Sequence, residues 1–174
     1  MNINNKNVAV IGGAGFIGSH VIDYLINDRH CNVLVLDNLL TGHKKFIHPK
    51  AKFIYTDIRD SEENLKFTFD KNHVEYLFNY AAYPYIPFSF ERPIYVFNIN
   101  ALAAMKAIHA AWEAGVERIL QVSSAEIYGN ASGKISENEP VTPHSSYGVS
   151  KAAVDGFVQV RWKEAGVPAI AMRQ

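Results

Sequence analysis

The feature that most constrains the fold is a glycine-rich segment at residues 11–18, which reads IGGAGFIG. Residues 8–11 are apolar and predict a short buried strand, whereas apolar residues at helical spacing over 16–26 predict a helix. Glycines at such a junction allow a tight turn and a close approach of the backbone to a pyrophosphate, and a helix N-terminus binds anions. The segment therefore predicts a dinucleotide site that includes Gly12, Gly15, Phe16, Ile17 and Gly18.

An acidic residue ends the second predicted strand. Residues 32–36 read as a buried strand that runs into Asp37 and Asn38, 19 residues beyond Gly18. A carboxylate at this place accepts hydrogen bonds from both hydroxyls of an adenosine ribose, whereas NADP would require a basic residue for its 2′-phosphate. We therefore predict NAD as the cofactor, although Lys44 and Lys45 follow in the next loop. Asp37 could also simply begin an Asx-type turn.

Further strands and helices alternate along the chain. The patterning predicts strands over 52–55, 75–79, 117–122 and 167–172, and helices over 61–71, 94–114 and 146–165. Strands that alternate with helices form a parallel sheet covered on both faces. We predict an α/β fold: a Rossmann-like doubly wound parallel sheet in the order 3-2-1-4-5-6, in a single domain over residues 1–174.

Residues 83–97 are rich in aromatic side chains and contain three prolines. The prolines argue against a continuous helix before Pro93. At the carboxyl end of a strand, such a loop could form a wall beside the nicotinamide or a substrate ring. It could equally be a packed loop or an oligomer surface. The sequence leaves these alternatives open.

Composition argues against several other classes of protein. The 17 basic and 17 acidic side chains give no net field that would favour nucleic acid or an anionic membrane. No apolar run approaches the roughly 18 residues of a membrane span, and the N-terminus does not read as a signal peptide. Cys31 is the only cysteine, which fits a reducing compartment, so we expect a cytoplasmic protein. The seven histidines lack the helical spacing of a zinc hydrolase, and we predict no metal site.

Three polar residues suggest redox chemistry. Tyr147 and Lys151 are four apart on a predicted helix and project from one face. A tyrosine with a free pKa of about 10 becomes a better base when an ammonium group favours its phenolate. Ser124 follows the fifth strand and could bind the same substrate oxygen. Beside a dinucleotide, Tyr147 would take a hydroxyl proton while hydride leaves the carbinol carbon.

An ordered set of motifs carries a resemblance to a known family. The motifs are residues 12–20 (GGAGFIGSH), 37–39 (DNL), 57–60 (DIRD), 123–129 (SSAEIYG) and 147–151 (YGVSK). Together they resemble the extended short-chain dehydrogenase/reductases, and within them the NAD-dependent nucleotide-sugar epimerases and dehydratases. The resemblance extends from about residue 8 to residue 173. Three positions depart from it: Ile11 replaces a common threonine, Phe88 an often basic residue, and Ser146 a usual proline.

The resemblance implies a role for each matched residue. Asp37 and Asn38 would hold the adenosine ribose, and Asp57 and Ile58 would flank the adenine. Lys151 would bind the nicotinamide ribose and complete a catalytic triad with Ser124 and Tyr147. The remaining matches are Tyr80, Ala81 and Ala82, which would line the cofactor near the nicotinamide, and Asn100, which matches an asparagine on the next helix.

The resemblance implies an NAD-dependent nucleotide-sugar epimerase that acts through a transient 4-keto-sugar, by hydride transfer to and from tightly bound NAD. A 4,6-dehydratase or a decarboxylase is the alternative, because Glu126 resembles the base of relatives that eliminate water. Against this, Ala125 stands where such relatives often carry an acidic or hydroxylic residue, and Glu126 could be a structural hydrogen-bonding residue.

Two further expectations concern partners. Relatives follow their sixth strand with a C-terminal region that grips the nucleotide of the substrate, and we expect this region to be lacking in the 174-residue chain. The chain could therefore be an NAD-binding module without independent turnover, which needs that region or a partner. Helices near 94–114 and 147–165, with Trp112 and Trp162, resemble those of the family's four-helix dimer interface, so we expect a homodimer.

Overall fold

The computed structural model describes residues 3–131 and 133–174. Six strands form one parallel sheet in the order β3-β2-β1-β4-β5-β6. They are β1 (Asn7–Ile11), β2 (Asn32–Asp37), β3 (Lys52–Tyr55), β4 (Tyr76–Asn79), β5 (Arg118–Val122) and β6 (Ala169–Met172). The predicted Rossmann-like doubly wound sheet is confirmed, and so is its strand order.

Helices connect the strands. They are α1 (Phe16–Asn27), α2 (Glu62–Lys71), α3 (Ile86–Glu91), α4 (Pro93–Phe97), α5 (Ala104–Glu113) and α6 (Ser146–Ala165). Short 3-10 turns occupy Lys44–Phe46 and Ala125–Tyr128. Serine caps define two of the predicted helix starts: the Ser61 hydroxyl accepts the Asn64 N–H before α2, and the Ser145 hydroxyl accepts the Gly148 N–H before α6.

The larger core lies on one face of the sheet. Ala9 and Ile11 of β1 point to this face, where they join the apolar sides of α2, α5 and α6. Leu65 and Phe69 bring α2 into this core, and Ile108 brings α5. Alternate residues of a strand point to opposite faces, so the neighbours of Ala9 and Ile11 in β1 belong to a second core.

The second face is covered unevenly. Val8 and Val10 pack there against Ile22 of α1. Val10 pairs with Phe78 in the adjacent strand, and this row of the sheet continues through Leu120 to Ile170. Phe78 and Leu120 are only half-buried and Ile170 is 63% exposed. In the described part of the chain, an apolar strip therefore lies uncovered from β4 to β6.

The predicted helix over 94–114 is present, but it is not a regular α-helix throughout. A π-helical segment, Asn98–Ala103, joins α4 to α5. The combined run Pro93–Glu113 could cross a membrane by its length and composition alone. It packs instead as a core helix, because 56% of its most apolar window is buried within the protein and Ala107 and Ala111 are fully enclosed.

Candidate active site

The carboxyl ends of the strands open onto a cleft of about 440 Å³. The cleft spans β1 and β4, where the strand order reverses and where doubly wound sheets bind their ligands. Fifteen of the predicted site residues line it: Gly12, Gly15, Phe16, Ile17, Gly18, Asp37, Asn38, Asp57, Ile58, Tyr80, Ala81, Ala82, Ser124, Tyr147 and Lys151. Asn100 and Glu126 are not among the lining residues.

The glycine-rich turn makes a cradle that other residues could not form. Gly12 has a φ of +77°, and a Cβ atom there would lie 2.6 Å from the backbone nitrogen of Ala81. A Cβ on Gly18 would collide with the carbonyl oxygen of Gly12, so the start of α1 packs directly on the turn. Gly15 is the N-cap of α1 and brings no side chain to cap it. The helix therefore offers its first N–H groups to an anion, which fits a pyrophosphate.

Asp37 forms the Asx-type turn that the sequence allowed, and it also lies at the cleft. Its Oδ1 accepts the N–H of Leu39 at 2.7 Å, which is an Asx-type turn, and its Oδ2 accepts the N–H of Ala14 at 2.9 Å. The side chain also lines the cleft at the end of β2. The carboxylate is thus fixed against the glycine-rich turn, where it can face a ribose.

Asp57 is held ionised beside the proposed adenine end of the cleft. Arg59 donates to it from Nε at 2.9 Å and from Nη2 at 2.7 Å, and Asn38 Nδ2 donates to its Oδ2 at 2.9 Å. The hydrogen-bonding Arg59 guanidinium holds the pKa of Asp57 well below its usual range. Arg59 also lies over the ring of Tyr95, 5.6 Å from its centre. Arg59 lies within the motif at residues 57–60 and lines the cleft, although the sequence pattern does not predict it as a lining residue.

Asn100 supports the cleft from behind. Its side chain is 1% exposed; Oδ1 accepts the N–H of Tyr83 at 2.7 Å, and Nδ2 donates to the Tyr83 carbonyl at 3.2 Å. Tyr83 and Pro84 line the cleft, and the Tyr83 ring packs against Phe88 at 4.8 Å between centres. One end of the aromatic loop therefore walls the cleft and part of the loop is packed, whereas Tyr85 and Phe90 are exposed. A position beside the nicotinamide or a substrate ring stays a prediction.

Tyr147 and Lys151 face the cleft from α6. Lys151 is 3% exposed, and its Nζ donates to the carbonyl oxygen of Val122 at 3.1 Å. Burial lowers the pKa of Lys151 to about 8. Burial also raises the pKa of Tyr147, whereas a hydrogen bond with Ser124 lowers this pKa and the charge of Glu126 raises it. The turn after β5 and helix α6 therefore meet at the Tyr147 side chain.

Glu126 stands next to the cleft rather than in it. It belongs to the 3-10 turn Ala125–Tyr128, is exposed, and donates its backbone N–H to the hydroxyl of Ser124 at 3.2 Å. The negative charge of its carboxylate raises the pKa of Tyr147. A second contact joins α3 to the site, because the buried Ser89 hydroxyl accepts the Tyr147 N–H at 3.2 Å.

One histidine forms a polar cluster with two glutamates. Ligand-type atoms of Glu62, His109 and Glu113 lie within 4.8 Å of one another on α2 and α5. His109 Nδ1 and Glu62 Oε1 are 2.5 Å apart, so these two side chains already satisfy each other. Lys106 and Arg161 line the adjacent groove, and their charges oppose a divalent cation. We describe the cluster as a surface hydrogen-bonded group, and the absence of a metal site stays a prediction.

Comparison with known proteins agrees with this architecture. A putative UDP-glucose 4-epimerase from Methanocaldococcus jannaschii is 37% identical over 155 residues, which is 88% of this chain and 50% of the relative. The mouse dTDP-D-glucose 4,6-dehydratase is 35% identical over 176 residues, covering 97% of this chain and 49% of the relative. The chain thus spans about half the length of the curated relatives it matches.

Solved structures agree with the sequence matches. The Thermus thermophilus UDP-glucose 4-epimerase in complex with NAD superposes with a TM-score of 0.90 at 32% identity, covering 96% of this chain and 54% of that one. A dTDP-glucose 4,6-dehydratase from Streptomyces venezuelae with NAD bound gives 0.88 at 29% identity, covering 96% and 55%. The family model described as the NAD dependent epimerase/dehydratase family matches residues 8–174. The predicted cofactor is that of this family, and the chain belongs to the NAD-dependent epimerase/dehydratase family.

Proposed function

We propose that this chain carries the NAD-binding and catalytic half of a cytoplasmic NAD-dependent nucleotide-sugar epimerase. One observation carries the proposal: Ser124, Tyr147 and Lys151 line the same cleft as the glycine-rich cradle. A dinucleotide and a reactive hydroxyl can therefore meet in one enclosed space. The relatives that this chain matches include UDP-glucose 4-epimerases, which supports a nucleotide-hexose as the substrate.

The residues of the cleft fit NAD along its length. The N–H groups at the start of α1 would bind the pyrophosphate, and Asp37 would accept hydrogen bonds from the adenosine ribose. Asn38, Asp57 and Ile58 would flank the adenine. Tyr80, Ala81 and Ala82 would lie beside the nicotinamide, and the ammonium of Lys151 would donate to its ribose. When bound, NAD supplies the chemistry of accepting a hydride from C4 of the sugar and returning it to the opposite face.

Tyr147 would move the proton in this reaction. The substrate hydroxyl would bind between the Tyr147 oxygen and the Ser124 hydroxyl, and Tyr147 would take its proton as the C4–H bond breaks. Lys151 Nζ lies 5.8 Å from the centre of the Tyr147 ring, and a positive charge there would favour the phenolate of Tyr147 that this step needs. Ser124 would hold the resulting keto oxygen while the sugar turns over. Tyr147 would then return the proton to the same oxygen, which completes the inversion at C4.

Product analysis tests the proposed reaction. The protein is incubated with NAD and with UDP-glucose, UDP-N-acetylglucosamine or dTDP-glucose, and the sugars are followed by NMR. We expect slow conversion to the C4 epimer, which Tyr147→Phe abolishes without loss of NAD binding. The exposed Tyr24 of α1 provides a matched control, since Tyr24→Phe should leave conversion unchanged. A stable 4-keto-6-deoxy sugar as the product would contradict the epimerase.

Glu126 favours a second candidate, a 4,6-dehydratase or a decarboxylase. It lies on the turn that begins at Ser124, and its charge already acts on Tyr147. A carboxylate in this place could remove the proton next to the keto group. In that case Glu126→Gln would block product formation, whereas Glu139→Gln, in the exposed loop before α6, would not. An epimerase would tolerate both substitutions.

A module without independent turnover is the third candidate. The uncovered strip of Phe78, Leu120 and Ile170 supports it, because apolar sheet faces are normally covered by another layer. The chain also spans about half the length of its relatives. Under this hypothesis the 174-residue protein binds NAD but converts no nucleotide-sugar. Turnover by this chain alone at an ordinary enzyme rate, about 1 s⁻¹ or more, would exclude it.

We also propose that two copies associate through α4, α5 and α6. A groove lined by the π-helical segment, α5 and α6 includes Leu102, Met105 and Phe157. Trp162, also on α6, is 60% exposed. Sedimentation at micromolar concentration should give the mass of two chains. Trp162→Glu should shift the mass toward one chain, whereas Tyr24→Glu on α1, across the sheet, should not. A parent protein that sediments as one chain would contradict the dimer.

A further inference from the structure

Arg173 stands outside the cleft yet touches the elements that build it. It follows β6, and its guanidinium uses Nε and Nη2 to bind both oxygens of Asp155, at 2.9 and 2.8 Å. Its Nη1 donates to the hydroxyl of Tyr128 at 2.6 Å and to the carbonyl of Glu137 at 2.9 Å. Four N–H groups of one side chain are thereby engaged. Their partners belong to α6, to the turn after β5 and to the following loop.

The partners of Arg173 are fixed in the core. Asp155 is 3% exposed and Tyr128 is 5% exposed. Burial opposes the ionisation of Asp155, but the hydrogen bonds and charge of Arg173 outweigh it and lower the pKa of Asp155. A buried ion pair contributes little net stability, because desolvation offsets much of the attraction. Its geometry is nevertheless strict, since the planar fork of an arginine matches a carboxylate in one orientation.

Asp155 and Tyr128 connect Arg173 to the reactive groups. Asp155 lies four residues beyond Lys151, one turn further along the same side of α6. Tyr128 closes the 3-10 turn whose N-cap is Ser124. Arg173 therefore ties the helix that carries Tyr147 to the turn that carries Ser124.

Two contact points fix how α6 lies against this turn. The first is Gly148, where a Cβ atom would approach the carbonyl oxygen of Glu126 to 2.8 Å. The second is the Asp155–Arg173–Tyr128 cluster, seven residues further along, or about 10 Å at the rise of an α-helix. Val154, between these two points, and Val158, just beyond the second, hold α6 in the core. The cluster adds a directional polar contact between α6 and the turn, and the distance between Tyr147 and Ser124 depends on how these two elements are aligned.

We propose that Arg173 is a positioning residue, which through Asp155 and Tyr128 holds Tyr147 within hydrogen-bond reach of Ser124. The inference rests on the proposed function for the roles of Tyr147 and Ser124. It adds a residue that touches neither NAD nor sugar. Arg173 acts through its fork geometry, so a lysine at this position, which keeps the charge, does not replace it.

The test is a titration of Tyr147 in the NAD-bound protein, without any sugar. The absorbance of tyrosine phenolate is recorded against pH for each variant. The same titration is repeated with Tyr147→Phe added to that variant, and subtracting the second curve from the first leaves the titration of Tyr147 alone. Ser124 and Glu126 act on the Tyr147 hydroxyl, and Lys151 Nζ lies 5.8 Å from the centre of the Tyr147 ring. Ser124→Ala should raise the pKa of Tyr147, because it removes the hydrogen bond that lowers it.

Arg173→Lys should also raise the pKa of Tyr147. The double variant of Arg173→Lys and Ser124→Ala should show no larger rise than Ser124→Ala alone. Arg118→Lys, an exposed arginine at the start of β5, is the matched control and should leave the pKa unchanged. If Arg173→Lys does not fold, Tyr128→Phe removes one bond of the cluster and should give a smaller rise.

Four results would overturn the proposal. Two of them are an unchanged pKa of Tyr147 in Arg173→Lys and an unchanged pKa of Tyr147 in Tyr128→Phe. The third is a double variant in which the rises from Arg173→Lys and Ser124→Ala add fully, and the fourth is an unchanged pKa of Tyr147 in Ser124→Ala itself. Loss of thermal stability with an unchanged pKa would make the role of Arg173 purely structural. Because no sugar is present, these outcomes are independent of which nucleotide-sugar reaction the protein performs. Where turnover is measurable, Arg173→Lys should lower kcat by about 100-fold with little change in KM.

Discussion

Replacing Lys151 by methionine should stabilise the NAD-free protein at neutral pH. The side chain is 3% exposed, and burial lowers its pKa from 10.5 to about 8. One pKa unit corresponds to about 1.4 kcal/mol, so keeping this ammonium buried below pH 8 costs about 3 kcal/mol of folding free energy. Methionine has a similar length and carries no charge, and it therefore removes this cost.

The lost hydrogen bond limits the gain. Lys151 Nζ donates to the Val122 carbonyl at 3.1 Å, but Gln121 Nε2 donates to the same oxygen at 3.0 Å. The carbonyl therefore keeps a partner in the variant, and the loss is about 1 kcal/mol. The net expectation for Lys151→Met is a free energy of unfolding about 2 kcal/mol higher than that of the parent at pH 7.

The sign of the pH dependence follows from linkage. The folded-state pKa of Lys151 lies below its unfolded value, so the unfolded chain binds more protons from about pH 8 to 10.5. The stability contribution of Lys151 in the parent therefore rises across this window, and the advantage of the variant shrinks by about 2 kcal/mol between pH 7 and pH 9.5.

Urea unfolding of both proteins over this pH range measures the effect. Lys163→Met, an exposed position on the same helix, is the matched control and should change stability by less than about 0.5 kcal/mol. A Lys151→Met protein that is less stable than the parent at pH 7 would refute the reasoning. An advantage that does not depend on pH would also refute it, because the buried charge would then not be its cause.

Three further substitutions test the cleft and its supports. Gly12→Ala should lower NAD affinity by more than about tenfold in calorimetry, because its Cβ atom would meet Ala81 and its φ is +77°. Gly156→Ala, an exposed glycine of α6 with open space around it, should instead raise the free energy of unfolding by about 0.5–1 kcal/mol in urea. Asn100→Ala should lower that free energy by about 2–4 kcal/mol, since the backbone N–H and carbonyl of Tyr83 both lose their partner.

Local patterns predicted most of the cleft. The glycine-rich turn and Asp37 lie at strand ends, where a few neighbouring residues determine the backbone, and the fold brings parallel strand ends to one edge. Helical spacing predicts that Tyr147 and Lys151 share one face of α6. Their position against Ser124 does not follow from spacing, because it depends on how α6 packs across β5 and β6. The prediction that these three residues form one catalytic group comes from the family resemblance of the motifs.

Sequence patterns do not predict the cleft residues that are positioned by tertiary contacts. Arg59 is positioned by Asp57 and Tyr95, the latter 36 residues further along the chain. Short helix α3 was also not predicted, since prolines argued against a continuous helix; Pro87 stands in the first turn of α3, where a missing N–H costs nothing. A proline indicates where a long helix is interrupted, but it does not indicate whether a short helix begins there.

The π-helical segment Asn98–Ala103 has a consequence for how this helix can evolve. A π turn contains one residue more than an α turn, and one residue rotates the remainder of a helix by about 100°. Deleting a single residue here would restore regular spacing and turn Tyr95 away from the aromatic loop, or Ile108 out of the core. Homologues should therefore conserve the length of this stretch, so that an alignment gap is rarer here than a substitution at its exposed positions, such as Leu102.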